Sequence, residues 1–293
     1  MPLRIFLAIQ AAIMGMVVLL STPGLALDSS SLLEFLGAEY TPLFSLLPPE
    51  LTVEDSFELG TTLSAGTVRQ VLGEAYVYHQ DAAVAYRLKE NLPLFNGDTL
   101  VTGEKSRLIV EMNDGSLLTL TAETKLTIDR SLPMIKVRDT VLQLFFGRIR
   151  SLVKKLAGEY SIKTPTGSVG VRGTDFAMAV APIPANKGAI RMKNMPTGLL
   201  TAVLTGGGQS TVELAGQFGP SVLVRPLSVA GVRTGGQAEQ AVHVGPAAEA
   251  LLQRIAPLPE PQPVQAKTPS STRPCWPFSF KPVKELKIFR ICR

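Results

Sequence analysis

The 293-residue sequence is poor in the side chains that most enzyme chemistry needs. It has two histidines, His79 and His243, and two cysteines, Cys275 and Cys292. Neither histidine belongs to an H-x-x-x-H pair or sits beside a cysteine, so no transition-metal centre is marked. No G-x-S-x-G elbow occurs; "TGSVG" around Ser168 is the nearest look-alike and fails on spacing. One tryptophan is present, and aromatics make up 6% of the chain. They are not interleaved with basic residues along the central strands, as a nucleic-acid-binding sheet requires, so no nucleic-acid partner is expected. Charged residues are 18% against 45% apolar, which excludes a mostly disordered chain. Beyond the N-terminus no apolar run is long enough to span a bilayer.

What is present begins with an export signal. Arg4 precedes "IFLAIQAAIMGMVVLL", Pro23-Gly24 ends any helix, and "GLA" supplies small residues for cleavage after Ala26. Residues 1–26 are therefore predicted to be a signal peptide that delivers the chain to the periplasm. An uncleaved inner-membrane anchor is the alternative, although Ile5 to Leu20 is shorter than the ~17–25 residues that span a bilayer. The net charge of +5 is concentrated at the opposite end. From Val264 onward Lys267, Arg273, Lys281, Lys284, Lys287, Arg290 and Arg293 face only Glu285. A proline-rich linker (257–274) leads into this basic-aromatic tail (275–293). The tail reads either as a solvated end or as a peptide docking on an acidic or membrane surface through Trp276, Phe278 and its cations. As the only cysteines of an exported chain, Cys275 and Cys292 predict a disulfide.

The middle of the sequence alternates polar and apolar residues. "GTVRQVLGEAYVYH" (Gly66 to His79) breaks at Gly73, as a hairpin would, and "SRLIVEMNDGSLLTL" places Asp114-Gly115 between two alternating runs. "MIKVRD", "TVLQLFFG", "YSIKT", "SVGVRG" and "DFAMAV" are further strand candidates. The expectation is an all-β fold, an antiparallel β-sandwich or β-roll of short strands and hairpins with minor helices at the ends. One helix is expected near Ser30 to Gly37, in an N-terminal segment 27–64, with its serines as caps. Another is expected at Pro246 to Ala256, closing a β extension over 218–256.

Gly167, Gly170 and Gly173 recur at a spacing of three, which raises the question of a phosphate-binding loop. Such a loop must open a helix, and "TDFAMAVAP" after Gly173 alternates and then meets Pro182. The glycines are instead expected to be structural, where close backbone approach or a bulge leaves no room for Cβ. Asp98, Asp114 and Asp175 are the carboxylates that could pair for hydrolysis. Asp98 and Asp114 sit beside glycines in turn positions, where solvated turn carboxylates are expected. No catalytic, cofactor or metal-binding residue is assigned.

The run "LPLFNGDTLVTGEKSRLIVEMNDGSLLTLTAETKLTI" resembles the signature of the FecR domain family. The matching positions are Gly97-Asp98, Thr102-Gly103, Ser106 and Asp114-Gly115-Ser116. "LQLFFGRIRSLV" and "IKTPTGSVGVRGTDFAM", with Arg172, Gly173 and Thr174, resemble its later strands, and the similarity runs from about Ala65 to Gln217. The resemblance implies an exported β module. In the namesake arrangement a membrane-spanning regulator controls a sigma factor from its cytoplasmic N-terminal segment, while the exported domain senses an outer-membrane receptor. Here four residues precede the apolar run, and no receptor-interaction region is recognisable after Gln217. The expectation is therefore a non-catalytic binding or scaffold module in the cell envelope, with an envelope protein or cell-wall carbohydrate as partner. The alternatives are a periplasmic component of a receptor-linked signalling system whose partner chain regulates the sigma factor, and an enzyme on envelope polymers.

Overall fold

Asp114-Gly115 does what its sequence context demands. Gly115 takes φ +74°, the Asp114 carboxylate accepts the Ser116 N–H at 2.8 Å, and β7 (Arg107–Met112) pairs antiparallel with β8 (Leu117–Leu120) across the turn. The computed structural model describes residues 28–42, 45–55, 64–79, 82–132, 137–155, 157–183 and 198–257. The candidate signal peptide, most of the proline-rich linker, the basic tail and both cysteines lie outside these residues. Eighteen strands form one continuous hydrogen-bonded network among the described residues. It is folded into two layers, an antiparallel β-sandwich with two parallel pairings.

The front sheet runs β1 (Thr52–Glu54), β4 (Val84–Arg87), β3 (Ala75–His79), β6 (Asp98–Thr102), β9 (Thr124–Leu132), the first part of β10 (Val137–Leu152), β11 (Ala157–Thr164), β12 (Gly167–Val171), β15 (Val212–Gly216) and β16 (Val222–Val224). The back sheet runs β5 (Pro93–Leu94), β2 (Gly66–Leu72), β7, β8, the second part of β10, β13 (Asp175–Pro182), β14 (Leu199–Thr205), β17 (Ser228–Arg233) and β18 (Val242–His243). Alternate residues of both sheets meet between the layers. Val77, Leu100 and Leu144 from the front face Leu118, Ile149 and Met178 from the back, all essentially inaccessible to solvent.

Strand β10 joins the layers. It pairs with β9 up to Phe146 and with β13 from Gly147 onward. Gly147 has φ +96°, and a Cβ there would lie 2.5 Å from the Glu123 carbonyl oxygen, so only glycine fits the bend. The chain crosses to the back sheet, turns and re-enters the front sheet as β11, parallel to the start of β10. A parallel pair needs a crossover of about a dozen residues, and the second half of β10 supplies most of it.

Gly73 departs from expectation. It has φ +75°, but β2 and β3 do not pair; β2 pairs with β7 in the back sheet and β3 with β6 in the front. The break turns a corner between sheets, held by the Ser106 hydroxyl on the Glu74 N–H at 2.8 Å, and no hairpin forms.

Two helices cover the outer face of the back sheet. In α1 (Ser29–Gly37) the cap is Asp28, whose carboxylate accepts the Ser31 N–H at 3.1 Å; the serines were the expected caps. α2 (Ala247–Ile255) begins after Pro246. Leu32, Leu36, Leu251 and Leu252 pack on Ala177, Ala179, Ala181 and Ala202, whose small side chains let the helices approach the sheet closely. Among the described residues no helix is long and apolar enough to cross a membrane.

Candidate functional site

The signature positions lie at corners and turns. Gly97 (φ +88°) lets the chain enter β6, where Asp98, 5% exposed, accepts the Phe95 N–H at 2.7 Å and lies 3.3 Å from His79 Nδ1. Burial raises the Asp98 pKa above the usual carboxylate value, against the opposing effect of those two partners. The Thr102 hydroxyl donates to the Thr121 carbonyl at 2.6 Å and accepts the Thr124 N–H at 3.0 Å. The Gly103 N–H donates to Glu74 O at 2.9 Å. Gly173 has φ +75°, and a Cβ there would lie 2.7 Å from Lys155 Cα; the Thr174 hydroxyl donates to Thr211 O at 2.9 Å. Arg172 is exposed. These residues are not gathered into one cleft.

Gly170 breaks from the other two glycines of its series. A Cβ on Gly167 would collide with the Ala215 carbonyl, and Gly173 is fixed by its φ, but a Cβ on Gly170 would meet nothing closer than 3.9 Å. Close approach of this chain's own backbone does not account for Gly170, because its missing side chain points out of the front sheet, opposite the core residues Val169 and Val171.

Asp175 is committed elsewhere. Arg150, 2% exposed, donates through Nε and Nη2 to both of its oxygens at 2.9 and 2.7 Å, and through Nη1 to the carbonyls of Leu252 and Ala256 at 3.2 and 2.5 Å. Two residues earlier on the same strand, Arg148 donates to the carbonyls of Leu36 and Ala38 at 2.6 and 3.0 Å, beneath the Tyr40 ring. Burial lowers the Arg148 pKa and raises that of Tyr40. Each arginine thus sits at one helix C-terminus, where the orphan carbonyls and the helix dipole favour a cation. The "GRIR" run puts two cations on one face of β10 and pins a helix with each. A cleft of about 410 Å³ lies over the Arg150–Asp175 pair, bordered by Gly206, Gly207 and Glu249. The arginine on its floor already makes four hydrogen bonds. Among the described residues no group of three His, Cys, Asp or Glu side chains could hold a metal ion.

On the outer face of the front sheet Val101, Phe146 and Tyr78 pack with the cluster that holds the two helices, and the rest of the face lies away from it. The residues of this face come from alternate positions on successive strands. Tyr78 lies opposite Thr99, Thr99 opposite Thr127, Thr127 opposite Gln143, Gln143 beside Lys163, and Lys163 opposite Ser168. At the β3 end Lys125 Nζ lies 5.6 Å from the Tyr78 ring centre and 5.8 Å from that of Phe145, and Arg87 covers Tyr76 at 5.4 Å. Sequence reading finds no interleaving of aromatics with cations; this face assembles a small one because its members come from β3, β4, β9 and β10. The opposite outer surface, on the back sheet, is the one the helices occupy.

Residues 98–193 match the family model described as FecR protein, so the chain carries a FecR domain there. The two sheets continue past both ends of that match, from Thr52 to His243. Comparison with curated proteins gives no match. Among solved structures, two crystal structures of a candidate anti-sigma factor from Parabacteroides distasonis ATCC 8503, at 1.65 and 2.50 Å resolution, each align at 17% identity with a TM-score of 0.36. Each alignment covers 50% of this chain and 59% of the other, so this chain spans about three fifths of the length of those proteins.

Proposed function

We propose that this FecR-domain chain is a non-catalytic regulatory protein of the cell envelope, a component of a receptor-linked signalling system. Its β-sandwich recognises an envelope partner through the open face of the front sheet, and a partner chain carries the signal to a sigma factor. The observation that carries this reading is the FecR match over residues 98–193, because the family's namesake arrangement couples such a domain to sigma-factor control. A scaffold would bind in the same way but produce no output, and the family match favours the reading with an output. The commitments of the carboxylates weigh against an enzyme. Asp175 is tied to Arg150, Asp114 to its hairpin turn and Asp98 to the entry of β6. The domain acts in the periplasm, delivered there by the N-terminal apolar segment.

The test is genetic and compartmental. Cells lacking this chain are compared with wild type for sigma-factor-dependent transcription under envelope stress, with fractionation run in parallel. An altered transcriptional response with the protein in the periplasmic fraction is expected. An unchanged response would leave only the scaffold, and hydrolysis of a cell-wall polymer by purified protein would overturn the non-catalytic assignment.

A further inference from the structure

The cleft over the Arg150–Asp175 pair has more hydrogen-bonding capacity than this chain uses. Its walls come from two elements: Gly206 and Gly207, just past the end of β14, and Glu249, Ala250 and Gln253 of α2. At about 410 Å³ it falls within the range of small-ligand pockets, roughly 300–1,000 Å³. The glycines keep it open. A Cβ on Gly206 would stand 3.2 Å from Leu252 Cδ1 and 3.5 Å from Asp175 Cβ, and one on Gly207 would collide with the Glu249 carboxylate. Consecutive Cα atoms are about 3.8 Å apart, so the two acidic side chains flank neighbouring residues of one bare stretch of backbone.

Three groups there are incompletely paired. An arginine carries five N–H donors, and Arg150 uses four of them. The fifth, on Nη2, belongs to a side chain that is 2% exposed, and it has no acceptor among the described residues. Each Asp175 oxygen accepts one bond from Arg150 and keeps a further lone pair, on a side chain that is 24% exposed. Glu249 makes no hydrogen bond or ion pair among the described residues. Together these groups select an occupant. Arg150 and Asp175 cancel in charge, so Glu249 gives the cleft a net negative charge that repels an anion and suits a single cation. A calcium ion asks for six or more oxygens, and among the described residues no group of three metal-binding side chains assembles. An ammonium instead brings three N–H donors for the open positions on Glu249 and Asp175. The unused N–H of Arg150 calls for an acceptor beside that ammonium. A peptide N-terminus carries both, because its ammonium and its first carbonyl share one Cα.

We propose that this cleft binds the N-terminal end of a short peptide, with the α-ammonium on Glu249 and Asp175 and the first carbonyl on Arg150. A ligand of this volume is a small effector, separate from the macromolecular partner of the front sheet. Its contacts span α2 and the back sheet, so its binding ties the helix to the layer beneath. The inference does not depend on whether a signal leaves the domain, because the assay below measures binding by the purified full chain alone.

The probe is trialanine amide, followed by ligand-detected NMR titration, with N-acetyl-trialanine amide and butylamine titrated in parallel. Acetylation removes the ammonium and keeps the carbonyls, whereas butylamine keeps the ammonium and lacks a carbonyl. Wild type should bind trialanine amide, show no binding of the acetylated peptide, and bind butylamine about tenfold more weakly or less. Glu249→Gln should weaken trialanine amide binding by about tenfold, as loss of a charge-assisted hydrogen bond does. Its melting temperature should match wild type, since Glu249 has no partner to lose among the described residues. Three results would overturn the proposal: no binding of trialanine amide by wild type, equal binding of the acetylated peptide or of butylamine, or undiminished binding by a normally melting Glu249→Gln protein.

Discussion

Replacing Arg150 with methionine keeps much of the side-chain volume but removes five N–H donors from a residue that is 2% exposed. Asp175 would keep its charge without a partner, the Ala256 carbonyl would lose its Arg150 donor, and the Leu252 carbonyl would keep only the Ala256 N–H. Removing one member of a buried ion pair costs on the order of 3–5 kcal/mol. Asp175 is 24% exposed, so water recovers part of that loss and about 2–3 kcal/mol is expected. In a domain of this size the melting temperature should fall by roughly 4–12 °C. Asp175→Leu strands the cation and should be at least as damaging. The double variant removes both charges and should recover about half of the loss or more, since apolar pairs often replace buried ion pairs without penalty. Urea melts of the four proteins close the cycle, with a coupling of about 1–3 kcal/mol expected. Hydrogen exchange should accelerate first in α2, the helix that Arg150 holds. A single variant within about 0.5 kcal/mol of wild type, or strictly additive losses, would refute the clamp.

Two further predictions follow from single residues. Gly173→Val should cost on the order of 1–3 kcal/mol or more, from its positive φ and the nearby Lys155 backbone, whereas Gly170→Val should be neutral or stabilising by up to about 1 kcal/mol; thermal melts that lower both alike would contradict the distinction drawn between them. Asp98 is an acid whose folded pKa is raised above 3.8, so its favourable contribution is present below 3.8 and lost as pH rises through the folded value. Asp98→Asn should therefore melt at or above wild type at pH 7, with the difference shrinking toward pH 3.8, and a pH series of melts showing the opposite trend would exclude that role for burial.

Much of the fold is written locally. The Asp-Gly hairpin and the alternation of the central runs depend on neighbours a few residues apart, and both are legible. The pairing of distant segments is not. Gly73 looks the same in sequence whether it closes a hairpin or turns a corner; the difference lies in β7, which claims β2 as its neighbour. "TVLQLFFG" reads as a strand ending at Gly147, yet the chain continues through that glycine in one strand, because the positive φ rotates it into the second sheet. Arg148 and Arg150 are visible as an alternating pair, but their carbonyl partners lie 112 residues upstream and 106 residues downstream. Nothing near "GRIR" announces them. The front face is hidden for the same reason, since Tyr78, Lys125 and Phe145 belong to three strands that meet only in the folded sheet. Gly170 shows the reverse difficulty. It shares a spacing with two structurally required glycines, and only the absence of neighbours around its Cα tells it apart.

Recognition through the front face is the central claim, and site-specific photo-crosslinking in intact cells tests it most directly. A photoreactive residue is placed at Gln143, in the middle of the open face, and in a second protein at Ala247, on the exposed side of α2. The account expects a discrete covalent adduct from position 143 that Lys125→Glu diminishes, and only background from position 247. An adduct confined to position 247, or none from position 143 in cells that contain folded protein, would contradict it.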